Sequence, residues 1–305
     1  MGRTGEARDA CDGIIDLGAM RVVPLGTYYD RLGTWNRLAR WVGFGGGHAT
    51  WTVHRALADP RVGGRPTTTR LHDRIGALLD AIPGAPRAPR VLDAGCGLGG
   101  TMFWLVRTRE AQCIGVTLSA GQAATARAAA AHLGLSDRVQ CVVGDYDAPP
   151  AGPFDLIVAI ESLAHSADPA RSVRALASVL AVGGLLVIVD DMPEPSATGS
   201  ADLRRFQEGW QCPVLASAGA HREALQMAGL TLRHDVDLTP EVRPRRGWWV
   251  WVLRALNRLA AWWPSDGWRQ VLASHDGGLC LERMTRQGRM RYRVLIAQRE
   301  SIRVS

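Results

Sequence analysis

The sequence predicts an α/β fold, a doubly wound and mostly parallel sheet of seven strands. From Arg90 onward, apolar runs of strand length alternate with helical segments, which is typical of a sheet built from strand–helix–strand units. A glycine-rich turn links the first apolar run to a helix that begins near Met102. The 305 residues are enough to bury a full core, as one large domain or as one domain with a cap.

The apolar runs and the helical segments between them place the individual elements. Gly183 and Gly184 are expected to make the turn into the fifth strand. The last run alternates apolar residues with arginine, which suits an outer strand of the sheet. Strands are expected at residues 90–93, 112–117, 139–143, 154–160, 185–189, 230–238 and 290–298, and helices at 67–79, 120–133 and 219–228.

Two regions are expected around this sheet. Residues 1–80 are predicted to form an N-terminal arm and helical cap, and residues 81–305 the main domain. Insertions at about 191–218 and 240–287 interrupt the main domain, and insertions of this length usually serve a function or form a cap. Within the N-terminal cap, four residues recur on one helical face: His48, Trp51, His54 and Leu57.

The second insertion holds over half of the 11 tryptophans. Its apolar stretch, 248–263, is interrupted by Arg254 and Arg258 and is shorter than the ~20 residues of a membrane-spanning helix. Two interpretations stay open: a hydrophobic cap over an apolar substrate, which we favour, and an amphipathic helix on a lipid surface. The tryptophans concerned are Trp248, Trp249, Trp251, Trp262, Trp263 and Trp268.

The chain is basic, with a net charge of +7 carried on arginine and no lysine. Such a charge allows an anionic partner. However, the densest arginine cluster, at 243–246, is short. After the fourth strand there is also no Asn/Asp-Pro-Pro-aromatic run of the kind that grips a flipped base. We therefore expect no nucleic-acid partner.

The six cysteines are scattered without a C-x-x-C pair, so we expect neither a disulfide framework nor a zinc site, and no other metal. Cys96, Cys113 and Cys141 fall within the predicted sheet, where reduced cysteine packs as a small hydrophobic residue. No charged start is followed by an apolar run of signal-peptide length, so a cytoplasmic location is expected.

The turn after the first strand, residues 93–99, reads Asp-x-Gly-x-Gly-x-Gly. Its glycines also fit a dinucleotide fingerprint, so the glycines alone are ambiguous. Asp93 is suited to receive an ammonium group and would repel a pyrophosphate, and the second strand ends in Thr117 with no acid placed to hold a ribose. The order therefore resembles that of Rossmann-like S-adenosylmethionine methyltransferases, which would place Gly95 and Gly97 near the amino-acid part of the cofactor.

Ligands of a doubly wound sheet bind at the carboxyl ends of its strands. After the second strand, Thr117 and Gln122 can reach ribose hydroxyls in place of a carboxylate, although Gln122 also fits a solvated position in the first helical turn. After the third strand, Asp145 can accept a hydrogen bond from an adenine amino group, and Tyr146 can pack on the ring. The spacing of Tyr28 leaves core packing and a lid over the cofactor equally open.

After the fourth strand, Glu161 and His165 are four residues apart, and their side chains share one face if this segment is helical. Methyl transfer from a sulfonium is an in-line displacement that needs positioning, exclusion of water and, for some acceptors, a base. The pair could supply that base, or stabilise the cation formed when an alkene is methylated. The alternative is that both residues only cap and orient this segment.

Two motifs resemble small-molecule methyltransferases of the tocopherol and sterol C-methyltransferase group. They are Gly-Val-Thr-Leu-Ser-x-x-Gln at 115–122, which also resembles cyclopropane fatty acid synthases, and Glu-Ser-x-x-His at 161–165. The chain departs from these families at Ala164, where cyclopropane synthases have Glu, and at His48, where tocopherol-type enzymes have a histidine-rich stretch. The resemblance implies a Rossmann-like fold, S-adenosyl-L-methionine as the cofactor, and a substrate cavity lined by Glu161 and His165. The cofactor contacts expected are Tyr28, Asp93, Gly95, Gly97, Thr117, Leu118, Gln122, Asp145, Tyr146 and Ile160.

The function expected from this resemblance is methylation of a small hydrophobic acceptor, such as an isoprenoid, a sterol-like compound, a quinone or a specialised metabolite. The resemblance favours a carbon acceptor, while oxygen and nitrogen stay open. Arg243, Arg245 and Arg246 could bind a diphosphate on the acceptor, although such a cluster is more often a solvated loop. A non-methylating cyclase or a cofactor-binding partner subunit on the same scaffold is the alternative. A homo-oligomer and peripheral membrane contact through the Trp-rich insertion also stay open.

Overall fold

The computed structural model describes residues 25–28, 51–243 and 266–300. Residues 25–28 are helical, and the remaining elements build a small hairpin and a large sheet flanked by helices. In chain order the strands are β1 (Leu57–Asp59), β2 (Arg65–Thr67), β3 (Arg90–Ala94), β4 (Gln112–Thr117), β5 (Val139–Val143), β6 (Phe154–Ile160), β7 (Leu180–Pro193), β8 (Leu230–Asp237) and β9 (Met290–Arg299). The helices are α1 (Thr69–Asp80), α2 (Gly100–Arg109), α3 (Ala120–His132), α4 (Pro169–Ser178), α5 (Ala201–Trp210), α6 (Ala218–Met227) and α7 (Asp266–Arg286).

The large sheet has seven strands in the order β5-β4-β3-β6-β7-β9-β8. Strands β3 to β7 pair in parallel, and β9 runs antiparallel to both of its neighbours. The strand order reverses between β3 and β6, because the chain first builds outward through β4 and β5 and then crosses to the other side. In a sheet of this kind, the crevice beyond the carboxyl ends of the strands at this reversal is the usual ligand site.

The core lies on both faces of the sheet. Alternate residues of β6 point to opposite faces: Leu156 and Val158 pack with the face that carries α1, α2 and α3, whereas Ile157 and Ala159 pack with the face that carries α4 and α6. All four residues are at most 1% exposed. A continuous apolar run is therefore required in β6. The strands at 112–117, 139–143 and 154–160 are confirmed with the bounds expected from the sequence.

The final strand is not at the outer edge of the sheet, so this prediction was wrong. β9 lies between β7 and β8. Its central residues, 294–297, are fully buried, as suits an interior strand that pairs on both edges and has the core on both faces. The edge is β8, whose Arg233, His234 and Asp235 make it more polar, as suits an exposed edge.

Three other expectations are corrected. β7 begins at Leu180, so Gly183 and Gly184 lie within its span, where the register against β6 is irregular, rather than in a turn before it. The first helix begins at Thr69, because residues 65–67 pair with β1 in a hairpin that the sequence did not predict. Residues 51–56 are not helical and Leu57 begins β1, so the expected common face of Trp51, His54 and Leu57 does not form, and His48 lies outside the described residues.

The two insertions pack against each other. Helix α5 from the first lies close to helix α7 from the second: a Cβ on Gly209 would stand 2.2 Å from the carbonyl oxygen of Ala273, so this approach requires glycine. Trp210 donates from Nε1 to the carbonyl oxygen of Ser274 at 2.8 Å. The stretch 244–265, with five of the six tryptophans named above, lies outside the described residues. Within the described part of the chain, no helix is both long and apolar enough to cross a membrane.

Candidate functional site

The glycine turn between β3 and α2 lies across the carboxyl ends of the central strands. The backbone N–H groups of Gly95 and Cys96 both donate to the carbonyl oxygen of Val116, at 2.9 and 3.0 Å, which ties the turn to β4. Gly95 has a φ of +97°, and a Cβ there would stand 2.4 Å from the Cβ of Ser162 in the loop after β6. Glycine is thus required both by the backbone conformation and by the close approach of this second loop.

Two buried polar atoms beside Gly95 have no hydrogen-bond partner among the described residues: Oδ2 of Asp93 and Oγ of Ser162. Asp93 is 3% exposed, and burial raises the pKa of its carboxyl group to about 7. A buried carboxylate without a partner is unfavourable unless a ligand compensates it. The donor and acceptor set at this turn therefore fits a cationic group such as the ammonium of an amino acid.

The loop after β4 holds Thr117 and Gln122 against each other. Thr117 donates from Oγ1 to Oε1 of Gln122 at 2.8 Å, and Ser119 caps α3 by accepting from the Gln122 backbone N–H at 3.0 Å. Gln122 is half-buried and turned toward the strand end, so it does not occupy a fully solvated position. Leu118 is 39% exposed, and its carbonyl oxygen would lie 2.4 Å from a Cβ on Gly26. The segment 25–28 thus covers this loop.

The loop after β5 is tied to the loop after β6. Tyr146 donates from its hydroxyl to the carbonyl oxygen of Ser162 at 3.0 Å, and burial raises the pKa of this tyrosine. Asp145 is exposed, and its Oδ1 accepts from the backbone N–H of Asp147 at 2.9 Å. Ile160 ends β6 and is 9% exposed. These residues lie at neighbouring strand ends, as the sequence predicts for a site at the carboxyl edge.

Tyr28 lies in the core of the first insertion rather than extending into solvent. It is 2% exposed, and its hydroxyl donates to the carbonyl oxygen of Gly209 at 3.1 Å. Burial is the main cause that raises its pKa. Of the two roles left open by the sequence, the observed packing fits the core role directly. A lid role for the segment 25–28 rests on its neighbour Gly26, which contacts the loop after β4.

Residues 51–56, which we call the strap, cross the carboxyl edge of the sheet. At its start, the carbonyl oxygen of Trp51 accepts from the backbone N–H of Gly100 at 3.1 Å. Val53 packs on Gly97, and its side chain is 62% exposed on the outer surface of the strap. The strap therefore lies directly on the glycine turn.

A buried histidine pair anchors the strap from below. Nε2 of His54 and Nε2 of His72 are 3.0 Å apart, so one ring donates and the other accepts. Burial lowers the pKa of both rings, that of His72 to about 3, which keeps the pair neutral near pH 7. His72 also stacks on Trp104 at 4.8 Å and lies 3.3 Å from Oγ1 of Thr101. This contact network links the strap to helices α1 and α2.

Glu161 follows β6 directly and is held through one carboxylate oxygen. Its Oε1 accepts from the hydroxyl of Tyr292 at 2.7 Å and from the backbone N–H of Arg55, in the strap, at 2.8 Å. Its backbone is left-handed, with a φ of +51°, a conformation that costs a non-glycine residue about 1 kcal/mol. Such strain persists where the surrounding contacts impose it, and it is common at functional sites.

Asp190 and Asp191 lie near the carboxyl end of β7 and, together with Glu161, form what we call the carboxylate cluster. Asp190 accepts from the backbone N–H groups of Ala164 and Asp191, at 2.9 and 3.0 Å. Asp191 forms an ion pair with Arg55 at 2.8 Å. Burial raises the pKa of Asp190 well above its usual range, and raises that of Asp191 to about 6 although Arg55 opposes the shift. The protonation of these two acids therefore depends on burial and on the charges of their neighbours.

Glu161 and His165 do not share a helical face, so the spacing argument from the sequence was wrong in its premise. Glu161 is left-handed, and only a single 3-10 turn, Leu163–His165, follows it. Nδ1 of His165 lies 3.3 Å from the carbonyl oxygen of Gln211 and 3.8 Å from Sγ of Cys212. Burial lowers the pKa of His165, while the nearby Gln211 carbonyl and Glu161 oppose the shift. The two residues are thus coupled electrostatically without a shared turn.

Sequence reasoning missed several residues of this edge. Asp190 and Asp191 stand at the end of a long apolar strand, a signal that could have been used. Ser162 lies inside a recognised motif but was not singled out. Arg55 and Tyr292 give no local signal, because each is brought to Glu161 only by the tertiary fold.

The expected arginine clamp is only partly described. Arg243 is exposed, whereas Arg245 and Arg246 lie outside the described residues. Within 25–28, 51–243 and 266–300, no group of three or more His, Cys, Asp or Glu side chains is arranged to hold a metal ion.

Residues 92–188, which include the glycine turn and Glu161 but end before Asp190 and Asp191, match a family model described as a methyltransferase domain. Relatives extend further. The 27-O-demethylrifamycin SV methyltransferase of Amycolatopsis mediterranei is 32% identical over 201 residues, 65% of this chain and 70% of the relative. The ajmaline N-methyltransferase of Rauvolfia serpentina is 29% identical over 206 residues, 62% of this chain and 69% of the relative. A probable tocopherol O-methyltransferase of Oryza sativa subsp. japonica is 44% identical over 108 residues, 34% of this chain and 30% of the relative.

Solved structures confirm the fold. A geranyl diphosphate methyltransferase in complex with GPP and sinefungin has a TM-score of 0.64 at 23% identity, covering 90% of this chain and 100% of that chain. The 4+2 cyclase SpnF has a TM-score of 0.65 at 22% identity, covering 90% and 96%. A mycolic acid cyclopropane synthase has a TM-score of 0.65 at 18% identity, with the same coverage. The same architecture thus carries both methyl-transferring and cyclising proteins.

Proposed function

The chain belongs to the class I S-adenosylmethionine-dependent methyltransferases, and we propose that it methylates a small hydrophobic acceptor at a carbon atom. When bound, S-adenosylmethionine supplies an electrophilic methyl group carried on a sulfonium. The protein must then hold the cofactor, exclude water and manage the charge that develops on the acceptor.

On the cofactor side, we assign the ammonium group to Asp93, whose buried carboxyl group has no partner among the described residues. Gly95 and Gly97 leave room for the amino-acid part against the backbone of the turn. We assign the ribose hydroxyls to Thr117 and Gln122, whose side chains bond to each other at the end of β4. Adenine would lie nearby, and the residues proposed to contact it are Leu118, Asp145, Tyr146 and Ile160.

On the acceptor side, we assign the charge-handling role to Glu161. The observation that carries this assignment is its position: the Glu161 carboxylate accepts from the backbone N–H of Arg55 in the strap, and Val53 of the same strap packs on Gly97 in the glycine turn. The acceptor carbon would supply the electron pair of the new bond to the methyl carbon, and the bound cofactor would keep the electron pair of the methyl–sulfur bond on sulfur. The cation left on the acceptor is stabilised by the carboxylate and then loses a proton to it. His165 is proposed to line the same cavity.

The polarity of this edge also bears on the acceptor. The guanidinium of Arg55 is already paired with Asp191, so the carboxylate cluster offers no additional cation to an anionic group. We therefore propose that the reacting end of the acceptor is uncharged. A diphosphate at the distant end would depend on Arg243 and its two neighbours. The Trp-rich insertion is proposed to cover the apolar part of the acceptor.

The test is a mass-spectrometric assay with S-adenosylmethionine and a panel of apolar acceptors, including quinones, sterols and prenyl diphosphates. We expect a product heavier by one methyl group. Glu161→Gln and His165→Ala should reduce turnover to a small residual rate while cofactor binding, measured by calorimetry, persists. Glu110→Gln is the matched control, because Glu110 is also left-handed but exposed at the end of α2.

Other outcomes would redirect the proposal. Cofactor binding without any methylated product would favour a non-methylating cyclase or a partner subunit, the alternative that the fold of the 4+2 cyclase also allows. Turnover that is unaffected by Glu161→Gln would remove Glu161 from the chemistry. Methylated oxygen or nitrogen in the product would correct the target atom.

A further inference from the structure

The carboxylate of Glu161 is held by groups from two distant parts of the chain. Tyr292 comes from the last strand, β9, and the backbone N–H of Arg55 comes from the strap, which precedes the first strand of the hairpin. Both donate to the same oxygen, Oε1, at 2.7 and 2.8 Å. Within the part of the chain that the structure describes, the other carboxylate oxygen of Glu161, Oε2, accepts no hydrogen bond.

Tyr292 and Arg55 are also fixed relative to each other. Tyr292 is fully buried and stands directly opposite Asp191 in the β7–β9 ladder. Asp191 forms the ion pair with Arg55, and the guanidinium of Arg55 lies 5.2 Å from the centre of the Tyr292 ring. These contacts connect Arg55, Asp191, Tyr292 and Glu161 in a ring. The ion pair of the Arg55 side chain holds the strap in place, so that the backbone N–H of Arg55 reaches the carboxylate of Glu161.

A glutamate needs such support at this position. Its side chain has three rotatable bonds. Its left-handed backbone also lies outside the helix and strand conformations that would restrict its rotamers. Productive methyl transfer requires the charge-handling oxygen to stay near the reacting atom, and a misplacement of about 1 Å can cost about 100-fold in rate.

From these contacts we infer that Tyr292 and Arg55 are positioning residues that fix Glu161 so that Oε2 faces the acceptor. The inference rests on the proposed function, since it specifies how Glu161 performs its role there. Oε1 already accepts two hydrogen bonds, and a proton could bind there only if a donor left. The proton lost by the acceptor therefore goes to Oε2.

The first test is a double-mutant cycle with Tyr292→Phe and Glu161→Gln, using the acceptor identified by the panel. Tyr292→Phe keeps the ring and removes one hydroxyl. We expect kcat to fall about 10- to 100-fold, the effect of losing one hydrogen bond to a charged group, while KM for the acceptor changes less than threefold. In the Glu161→Gln background, Tyr292→Phe should have almost no further effect, because Tyr292 acts through Glu161.

Arg55→Met supplies a second variant, because it removes the anchor of the strap and leaves the tyrosine hydroxyl in place. It should lower kcat in the same way and be equally silent in the Glu161→Gln background. Thr285→Val is the matched control: it removes one half-buried hydroxyl that bonds to a backbone carbonyl in α7, and it should leave kcat unchanged.

A crystallographic readout tests the inference without turnover. In Tyr292→Phe with S-adenosylhomocysteine, the carboxylate of Glu161 should adopt a second conformer, whereas Thr285→Val should keep one. The inference is overturned if Tyr292→Phe keeps a single Glu161 conformer with unchanged kcat, or lowers kcat equally in both backgrounds. A Glu161→Gln variant with full activity would instead contradict the proposed function itself, so the two failures are distinguishable.

Discussion

The two sides of the candidate site are built in different ways. On the loop side, formed by the ends of β3, β4 and β5, the buried carboxyl group of Asp93 has no partner among the described residues. On the carboxylate side, each acid has at least one: Glu161 and Asp190 each accept two hydrogen bonds, and Asp191 is paired with Arg55 through Oδ2, although its Oδ1 is unpaired among the described residues. One side therefore awaits a ligand charge, whereas the other is organised by the protein itself.

This difference follows from what each side has to do. A cofactor that is always the same cation can be met by an unpaired carboxylate, which becomes favourable only when the ligand arrives. A group that must handle charge during a reaction benefits from being held in place beforehand, since reorganisation then costs nothing at the moment of reaction. We therefore expect loss of the Asp93 carboxylate to weaken cofactor binding and to stabilise the protein against unfolding. Loss of a partner on the carboxylate side should instead lower the stability of the folded protein.

The largest effect is expected from Gly95→Ala, which attacks the loop side directly. The new Cβ would stand 2.4 Å from the Cβ of Ser162 in a left-handed backbone, so the turn must move. We expect S-adenosylmethionine affinity, measured by calorimetry, to fall more than about 1000-fold, because both loops contribute to the site.

Gly134→Ala is the matched control for this variant. Gly134 has a φ of +67° with no atom within 4 Å of the added Cβ, so the substitution costs only the backbone strain, about 1 kcal/mol of stability. Affinity should remain at the wild-type value there. If both variants lost affinity equally, strain alone would explain Gly95, and the contact between the two loops would be irrelevant to binding.

The loop side could be predicted well from sequence because its residues are local. Asp93, Gly95 and Thr117 follow strands whose apolar runs are unmistakable, and parallel strands bring their carboxyl ends together. The carboxylate side could not, since Tyr292 reaches Glu161 only because β9 inserts between β7 and β8. The alternating arginines of β9 predicted an outer strand, whereas in the structure β9 pairs with a neighbouring strand on each side.

Local conformation was the second reason for errors on that side. Spacing predicts a shared face for Glu161 and His165 only in a helix, and the left-handed Glu161 breaks that condition. Nothing in the residue type announces this conformation, because glutamate rarely adopts it. The helix predicted for the strap was wrong for a similar reason. His54 and Trp51 have helical spacing, yet contacts with His72 and Gly100 hold them in an irregular segment.

The second-largest effect is expected from Asp93→Asn. Burial raises the pKa of its wild-type carboxyl group to about 7, so S-adenosylmethionine affinity should rise with pH from 5.5 to about 7 as the carboxylate forms. The ligand's own amino group loses its proton near pH 8, which limits the useful range. The variant should bind about 100-fold more weakly at pH 7.5, and its affinity should no longer rise with pH.

Stability should move in the other direction. A carboxyl group whose folded pKa is raised contributes stability that is present at low pH and is lost as pH rises through about 7. The empty Asp93→Asn protein should therefore be more stable than wild type in urea unfolding at pH 8, and this advantage should shrink toward pH 5. Asp155→Asn, at the opposite end of the sheet, should show neither effect. A destabilised Asp93→Asn protein would argue that the carboxylate is already compensated.

The smallest of these effects is expected from Arg55→Met, on the carboxylate side. The Arg55–Asp191 pair has side chains that are 18% and 7% exposed, so removal of the cation leaves an acid in a poorly hydrated place. We expect a loss of about 2 kcal/mol at pH 8, discounted for the partial exposure of the pair. The pKa of Asp191, about 6 in the wild type, should rise further without Arg55, so the loss should shrink at pH 5, where the acid is neutral.

Arg293→Met separates this effect from the loss of an ordinary ion pair. Arg293 pairs with Asp235 at similar exposure, 19% and 15%, but Asp235 keeps a second partner in Arg222. Urea unfolding of that variant should show a loss below about 1 kcal/mol that does not depend on pH between 5 and 8. Equal, pH-independent losses in both variants would mean that Asp191 is no more sensitive than a surface acid. In that case the carboxylate side would not be the more highly organised of the two, and the contrast with the loop side would rest on Asp93 alone.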